Sequence, residues 1–306
     1  MTERIARLGA KHGFARRFIA GETLEEALAS VAPLSQQGQP VILNHLGENV
    51  STPEEARQAG KSYVEMLRAL HKAGIRANIA VKLTQLGLDF DRALCLNLAC
   101  EIAAAAAAIQ NTIEIDMEGS PYTETTLEIY ENVQKTYGNA GVAIQAYLRR
   151  SEGDIIRLAP VNPKIRIVKG AYREPASLAF PQKTEVDANY RKLLDLMFAQ
   201  IAASTAGAAG GASVAIGTHD PALVDYASAQ IRRLGLPAAK YEFQMLLGIR
   251  RDLQQRIVAE GHPFRIYVPF GEAWVPYFMR RLSERPANLF FVVRSLLAER
   301  DRREMT

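Results

Sequence analysis

Short apolar, β-branched runs alternate along this chain with longer stretches in which apolar residues recur every three or four positions. A period of two marks a strand and a period near 3.6 an amphipathic helix, so the rhythm predicts strand–helix pairs. The strand-like runs lie at 41–46, 77–84, 112–117, 142–147, 164–169, 213–217, 241–246 and 264–268. Helices are predicted over 53–73, 90–110, 124–136, 152–158, 186–204, 221–234, 250–260 and 272–284, with Gly, Pro, Asp and Asn between the elements. Eight pairs in about 250 residues are the count for a (β/α)8 barrel, where a doubly wound sheet would need fewer. The expected fold is therefore an α/β, TIM-like (β/α)8 barrel over residues 39–300, ending in an extra helix at 287–300. An N-terminal helical lead-in at 1–38 precedes it and a polar tail at 301–306 follows.

A barrel of this kind builds its active site at the carboxyl ends of the strands, so those positions were read for chemistry. The second strand carries Lys82 inside an apolar run, and a buried lysine needs a partner or a task. The third offers Glu114, Asp116 and Glu118 on one face, carboxylates that need cations if they point inward, and Lys82 is next door. Gln145 in the fourth is a two-way hydrogen-bonding group that could read a ligand's amide edge. The fifth has Arg166 and Lys169 and then the small-residue turn Gly170-Ala171 before Tyr172, where a ligand can approach the backbone closely. The sixth ends Gly217-Thr218-His219-Asp220-Pro221, with Thr218 or Asp220 as the next helix's cap. After the eighth, Tyr277, Arg280, Arg281 and Glu284 fall at i, i+3, i+4 and i+7 and share one helical face. Two guanidiniums beside a tyrosine form a donor fork for a carboxylate or phosphate. On its own the pattern fits a solvated arginine face better than a ligand site, and its place after the eighth strand reverses that order.

Composition narrows the field. The chain of 306 residues is 48% hydrophobic and 23% charged with a net charge of +4, ordinary for a soluble globular enzyme. Its basic residues are scattered rather than grouped with aromatics, which argues against a nucleic-acid partner. Cys95 and Cys100 have neither CxxC nor zinc-pair spacing and read as small apolar residues of a reduced, cytoplasmic protein. The five histidines show no ligand spacing, so no metal is expected. No Gly-rich phosphate loop follows a strand, no signal-type leader opens the chain, and no apolar run approaches a bilayer span. The strand-end inventory is rich in cations and holds no serine or cysteine nucleophile with a base. Such a site binds an anion and leaves the hard chemistry to a cofactor.

Eight strings fall in register with the eight strands: Leu46-Gly-Glu48, Val81-Lys-Leu83, Ile115-Asp-Met-Glu118, Gln145-Ala-Tyr147, Arg166-Ile-Val-Lys-Gly-Ala-Tyr172, Gly217-Thr-His219, Tyr241-Glu-Phe-Gln244 and Arg280-Arg-Leu-Ser-Glu284. In that order they resemble the proline dehydrogenase family, of the short monofunctional bacterial type, over about residues 14–295. The resemblance implies an FAD enzyme that oxidises L-proline to 1-pyrroline-5-carboxylate, moving hydride from proline C5 to flavin N(5) and passing electrons to a membrane quinone. It implies that Arg280 and Arg281, with Lys82, clamp the proline carboxylate, with Tyr277 on the same helical face and Glu284 anchoring the arginine helix. Asp116 would belong to the catalytic network that holds these cations, and Tyr172, Tyr267 and Leu246 would wall the pyrrolidine ring. Arg166 would lie along the flavin near N(5); Met117, Gln145, Val168, Lys169, Gly170, Ala171, Thr218 and His219 would bind the rest of FAD.

Arg173 departs from the aromatic usual in bifunctional relatives, and the small-residue linker at 204–212 reads as an inserted mobile loop. With no second dehydrogenase domain in the sequence, a separate 1-pyrroline-5-carboxylate dehydrogenase is expected downstream. Basic ends suggest a peripheral contact with the inner face of the membrane. Two rival readings remain from the residues alone. One is a Schiff-base lyase using Lys82 or Lys169 on an anionic substrate; the other is a cofactor-free binding module for an anionic metabolite.

Overall fold

The computed structural model describes residues 15–203, 211–275 and 277. The expected elements beyond 277, most of the 204–212 linker, and with them Arg280, Arg281 and Glu284, lie outside the described residues. Within them, eight parallel strands close into a barrel in sequence order. They are β1 (Val41–His45), β2 (Ala77–Val81), β3 (Ile113–Ile115), β4 (Ala140–Gln145), β5 (Lys164–Val168), β6 (Ser213–Gly217), β7 (Tyr241–Leu246) and β8 (Phe264–Phe270). The helices are α1 (Leu24–Gln36), α2 (Pro53–Lys72), α3 (Arg92–Ala108), α4 (Ser120–Tyr137), α5 (Ser151–Leu158), α6 (Lys183–Ala203), α7 (Pro221–Leu234) and α8 (Arg251–Ala259).

Local chemistry sets the boundaries. Thr52 and Glu55 form a reciprocal capping box at the start of α2, with Pro53 in the first turn. Asp220 caps α7 by accepting from the Ala222 N–H, and Gly235 ends that helix in the left-handed conformation. The third strand is shorter than expected because regular pairing stops at Ile115, although the Asp116 N–H still donates to the Val81 carbonyl at 2.9 Å. Asp116 to Glu118 are thereby released to turn across the barrel mouth.

The apolar core is a ring, not a plug. Leu43, Ile79, Val81, Ile113, Ile115, Val142, Ile144, Ile165 and Ile167 pack outward against α2 to α6, joining Tyr63, Leu67, Leu70, Ile102, Tyr130, Leu194 and Phe198. Each fully buried side chain of this size contributes about 1.5–3 kcal/mol relative to exposure. The alternate strand positions face the lumen, and there polar and small residues predominate, with Ile42, Val168 and Leu246 among them. The lead-in closes one side of the mouth: Ala20 N–H donates to the Pro269 carbonyl at 2.8 Å and Trp274 Nε1 to Glu22 Oε1 at 2.9 Å. Ile19, Leu46, Trp274 and Tyr277 form a small apolar cluster beside them. No described helix is long and apolar enough to cross a membrane.

Candidate active site

At the carboxyl ends of the strands lies a cavity of about 470 Å³, within the usual range for small-molecule sites. Its deep wall is a charge array. Lys82 Nζ, just past β2, donates to Asp116 Oδ2 at 3.0 Å, and Arg166 Nη2 from β5 donates to Asp116 Oδ1. Tyr267 from β8 donates its hydroxyl to Asp116 Oδ2 at 2.6 Å, and the Arg166 guanidinium lies over the Tyr267 ring, 5.2 Å from its centroid. Glu48 lies 3.9 Å from Lys82. Three elements from around the barrel thus converge on one carboxylate.

Burial would raise the Asp116 pKa, but Lys82 and Arg166, with the hydrogen bonds from Tyr267 and Lys82, outweigh it and hold the carboxyl at about 2. Burial would likewise lower Lys82, yet Asp116 and Glu48 hold it above the ordinary lysine range. Tyr267 is pushed well above 10, first by burial and then by the Asp116 charge. Near neutrality the array is an ammonium and a guanidinium sharing a carboxylate, with a protonated phenol. Lys82, Arg166 and Asp116 sum to one positive charge, set against the Glu48 carboxyl 3.9 Å from Lys82, and the two cations line the cavity as partners for an anion.

The opposite wall is built by the β3–β6 loops. Gln145 is tied at both ends of its amide: Nε2 donates to the Glu118 carbonyl at 2.9 Å, and Oε1 accepts from the Ala171 N–H at 3.4 Å. Its first role is therefore to hold two loops together, although it still lines the cavity beside Met117, Val168, Gly170 and Ala171. Gly170 has φ of +120°, and a Cβ there would sit 2.3 Å from the Tyr147 ring, so only glycine lets this strip lie flat along the cavity. Lys169 Nζ bridges Asp187 at 2.5 Å and Asp220 at 2.7 Å, and Lys183 contacts the same two carboxylates. His219 Nε2 accepts from the Leu246 N–H at 3.0 Å, fixing the β6 and β7 ends together. Thr218, Tyr172, Leu246 and Tyr277 complete the lining.

All the site residues expected from the sequence that fall within the described chain meet at this one cavity. Two expectations on β3 are refined. Glu118 turns away from the lumen cations and accepts from Thr84 N–H and Oγ1, at 3.1 and 2.6 Å. Glu114 stays on the Asp116 side, one layer deeper. Asn44, Glu48, Asp220 and Gln244 line the cavity and were given no binding role from the sequence. Asn44 and Gln244 are polar interruptions in apolar strands at lumen parity, a signal that could have found them; Asp220 was read only as the cap it also is. Among the described residues no group of three metal-ligating side chains occurs.

Several buried polar atoms on the wall have no partner among the described residues: Asn44 Oδ1, Arg166 Nε and Gln244 Oε1. Buried polar atoms are normally satisfied, so such orphans mark where a ligand's donors and acceptors belong. One N–H seeking an acceptor and two oxygens seeking donors suit a ligand that carries heteroatoms of both kinds.

The family model described as proline dehydrogenase matches residues 27–294. Proline dehydrogenase 1 of Bacillus subtilis (strain 168) is 35% identical over 283 residues, covering 92% of this chain and 90% of that protein. Proline dehydrogenase of Deinococcus radiodurans is 37% identical over 288 residues, again covering 92% and 90%. Among solved structures, proline utilization A from Bdellovibrio bacteriovorus, inactivated by N-propargylglycine, superposes with a TM-score of 0.80 at 24% identity. The match covers 88% of this chain but only 32% of that one, and it shows the shared barrel fold.

Proposed function

The chain belongs to the proline dehydrogenase family and is an oxidoreductase; from that premise we propose that it oxidises L-proline to 1-pyrroline-5-carboxylate using FAD. The observation that carries the reading is the Lys82–Asp116–Arg166–Tyr267 array on the cavity wall. FAD, when bound, supplies the hydride acceptor for proline C5. Arg166, Gln145 and the Lys169–Ala171 strip would hold its ring system, and Met117, Val168, Thr218 and His219 would hold the rest.

Lys82, with Arg280 and Arg281 of the helix face read from the sequence, receives the proline carboxylate. Tyr277 and Glu284 are assigned to that face by sequence spacing alone, and Arg280, Arg281 and Glu284 lie outside the described residues. Tyr172, Tyr267 and Leu246 exclude water around the ring. Fixing a small rigid substrate by its carboxylate supplies orientation, which can be worth several kcal/mol of barrier. Asp116 stays ionised and fully engaged and Tyr267 stays protonated, so neither serves as base; the amine proton leaves to solvent on binding. The same protonation states tell against the lyase reading, because Lys82 is held as an ammonium and Lys169 is clasped by two carboxylates.

The visible spectrum of the purified protein, before and after anaerobic L-proline, tests the proposal. A flavin spectrum that bleaches is expected; a protein that stays colourless after FAD is added would overturn it. Electrons pass onward to a membrane quinone, and a 1-pyrroline-5-carboxylate dehydrogenase activity consumes the product. Liposome co-sedimentation at low salt tests the membrane contact, and absence of binding removes it.

A further inference from the structure

Beneath the array lies a second carboxyl that the reaction as described does not use. Glu114 sits on β3 two residues before Asp116 and on the same side of the strand, in register with Ala80 of β2 and Gly141 of β4. In the neighbouring layer Arg166 is flanked by Ala143 and Ala215, and Ala215 by Glu242 of β7. Small residues therefore surround two layers of charge, where barrels are usually filled by Val, Ile and Leu. The fit is close on one side: a Cβ at Gly141 would meet both Glu114 carboxyl oxygens at 2.8 Å. Arg265 of β8 is spent in a bidentate pair with Glu242, at 2.8 and 3.0 Å, and Gln244 Nε2 donates to that same Glu242 at 2.6 Å. Arg166 is spent on Asp116 above. Glu114 is left with charged neighbours but no bonded cation among the described residues.

We propose that Glu114 is an internal acid of this site, a positioning residue whose proton is taken up and released to set the charge of the Lys82–Asp116–Arg166 array. The charged and titratable groups that face it are Arg166 and Lys164 of β5, Glu242 of β7, Arg265 of β8, Asp116 on its own strand and Tyr130 of α4. Burial raises its pKa; Arg166 pulls it down, Glu242 pushes it up, and the balance is about 7. Glu114 on β3 and Asp116 just past its end thus titrate far apart, at about 7 and about 2. Below neutrality Glu114 is uncharged and the cations above it exert their full field on an anionic ligand. Above neutrality its negative charge, beside Arg166, weakens that field. The inference rests on the proposed carboxylate-binding role of the array, and its test separates the two.

The first measurement is an infrared pH titration of the protein, uniformly labelled with carbon-13 glutamate, with no substrate present. A protonated glutamate carbonyl band that vanishes between about pH 6 and 8, and is missing in Glu114→Gln, is expected. Should that variant not fold, Glu114→Asp keeps the charge and must remove the labelled band. If no glutamate titrates in that window, or if the band survives either substitution, the proposal falls whether or not proline is oxidised. The second measurement is the pH profile of turnover. Because proline loses its amine proton on binding, KM falls with rising pH in both proteins, but across neutrality it falls several-fold less in the unaltered protein than in Glu114→Gln, with kcat changed only a few-fold. A parallel pH profile in both proteins overturns the coupling. Failure of proline oxidation alongside a normal infrared titration overturns the function and leaves Glu114 as an internal acid.

Discussion

The cavity holds two charge clusters, and they differ in kind. On the deep wall Lys82, Asp116 and Arg166 have side chains only 10%, 11% and 6% exposed. At the mouth Lys169 and Lys183 share Asp187 and Asp220, and there the exposures are 27%, 70%, 18% and 18%. The contact lengths are similar, but the dielectric is not. A pair near the surface is screened by water and salt and contributes about 0–1 kcal/mol, whereas breaking a buried one leaves an uncompensated charge. The deep cluster thus fixes geometry, and the rim cluster, two lysines against two carboxylates, adds no net charge and is the more exposed of the two.

The strongest way to break the contrast is to remove the shared deep carboxylate. Asp116→Ala strands two buried cations and is expected to destabilise the fold by about 3–5 kcal/mol in urea unfolding. Proline turnover should fall at least ~100-fold, the effect of losing ~2.7 kcal/mol of transition-state stabilisation. A loss below ~1 kcal/mol would mean that the deep array behaves like the rim. Tyr267→Phe deletes one hydrogen bond to a charged group and is expected to cost about 1.5–3 kcal/mol, read as a fall in kcat/KM for proline.

Acid sharpens the comparison further. The folded Asp116 carboxyl sits at about 2 against a reference of 3.8, so the unfolded chain binds its proton first as pH falls. The stability this provides is present above about pH 4 and is lost as pH drops toward 2, an effect of order 2 kcal/mol. Unfolding curves of the unaltered protein and Asp116→Asn should converge over that interval; parallel curves would remove the linkage. The smallest effect belongs to the rim. Lys183→Ala should change stability by less than ~1 kcal/mol, and the change should vanish in ~1 M salt. A large, salt-resistant loss would show that the rim cluster is as rigid as the deep one.

Much of this was legible before the fold was known, because barrels translate sequence rhythm directly into architecture. Strands alternate, several helices have local caps such as Thr52, Asp220 and Gly235, and consecutive elements are neighbours. The pairing of Lys82 with Asp116 was readable too, since adjacent strands at lumen parity must meet and opposite charges in an apolar setting must pair. Strand ends were less legible. Ile115 ends the β3 ladder where the apolar alternation continues to Met117, and only the neighbouring strands decide that.

The chain by itself determined the (β/α)8 order, the lumen-facing parity and the supply of cations at the strand ends, because these depend on local periodicity and residue type. Tertiary structure alone decided who shares whom: Tyr267, 151 residues from Asp116, closes the array on the same oxygen that Lys82 uses. It also decided that Gln145 is tied to Glu118 and Ala171, and that the pKa values of Glu114 and Asp116, two residues apart, are shifted in opposite directions. The reason is physical. Desolvation and Coulomb energies depend on distances through space between strands far apart in sequence, and no pattern along the chain encodes those distances.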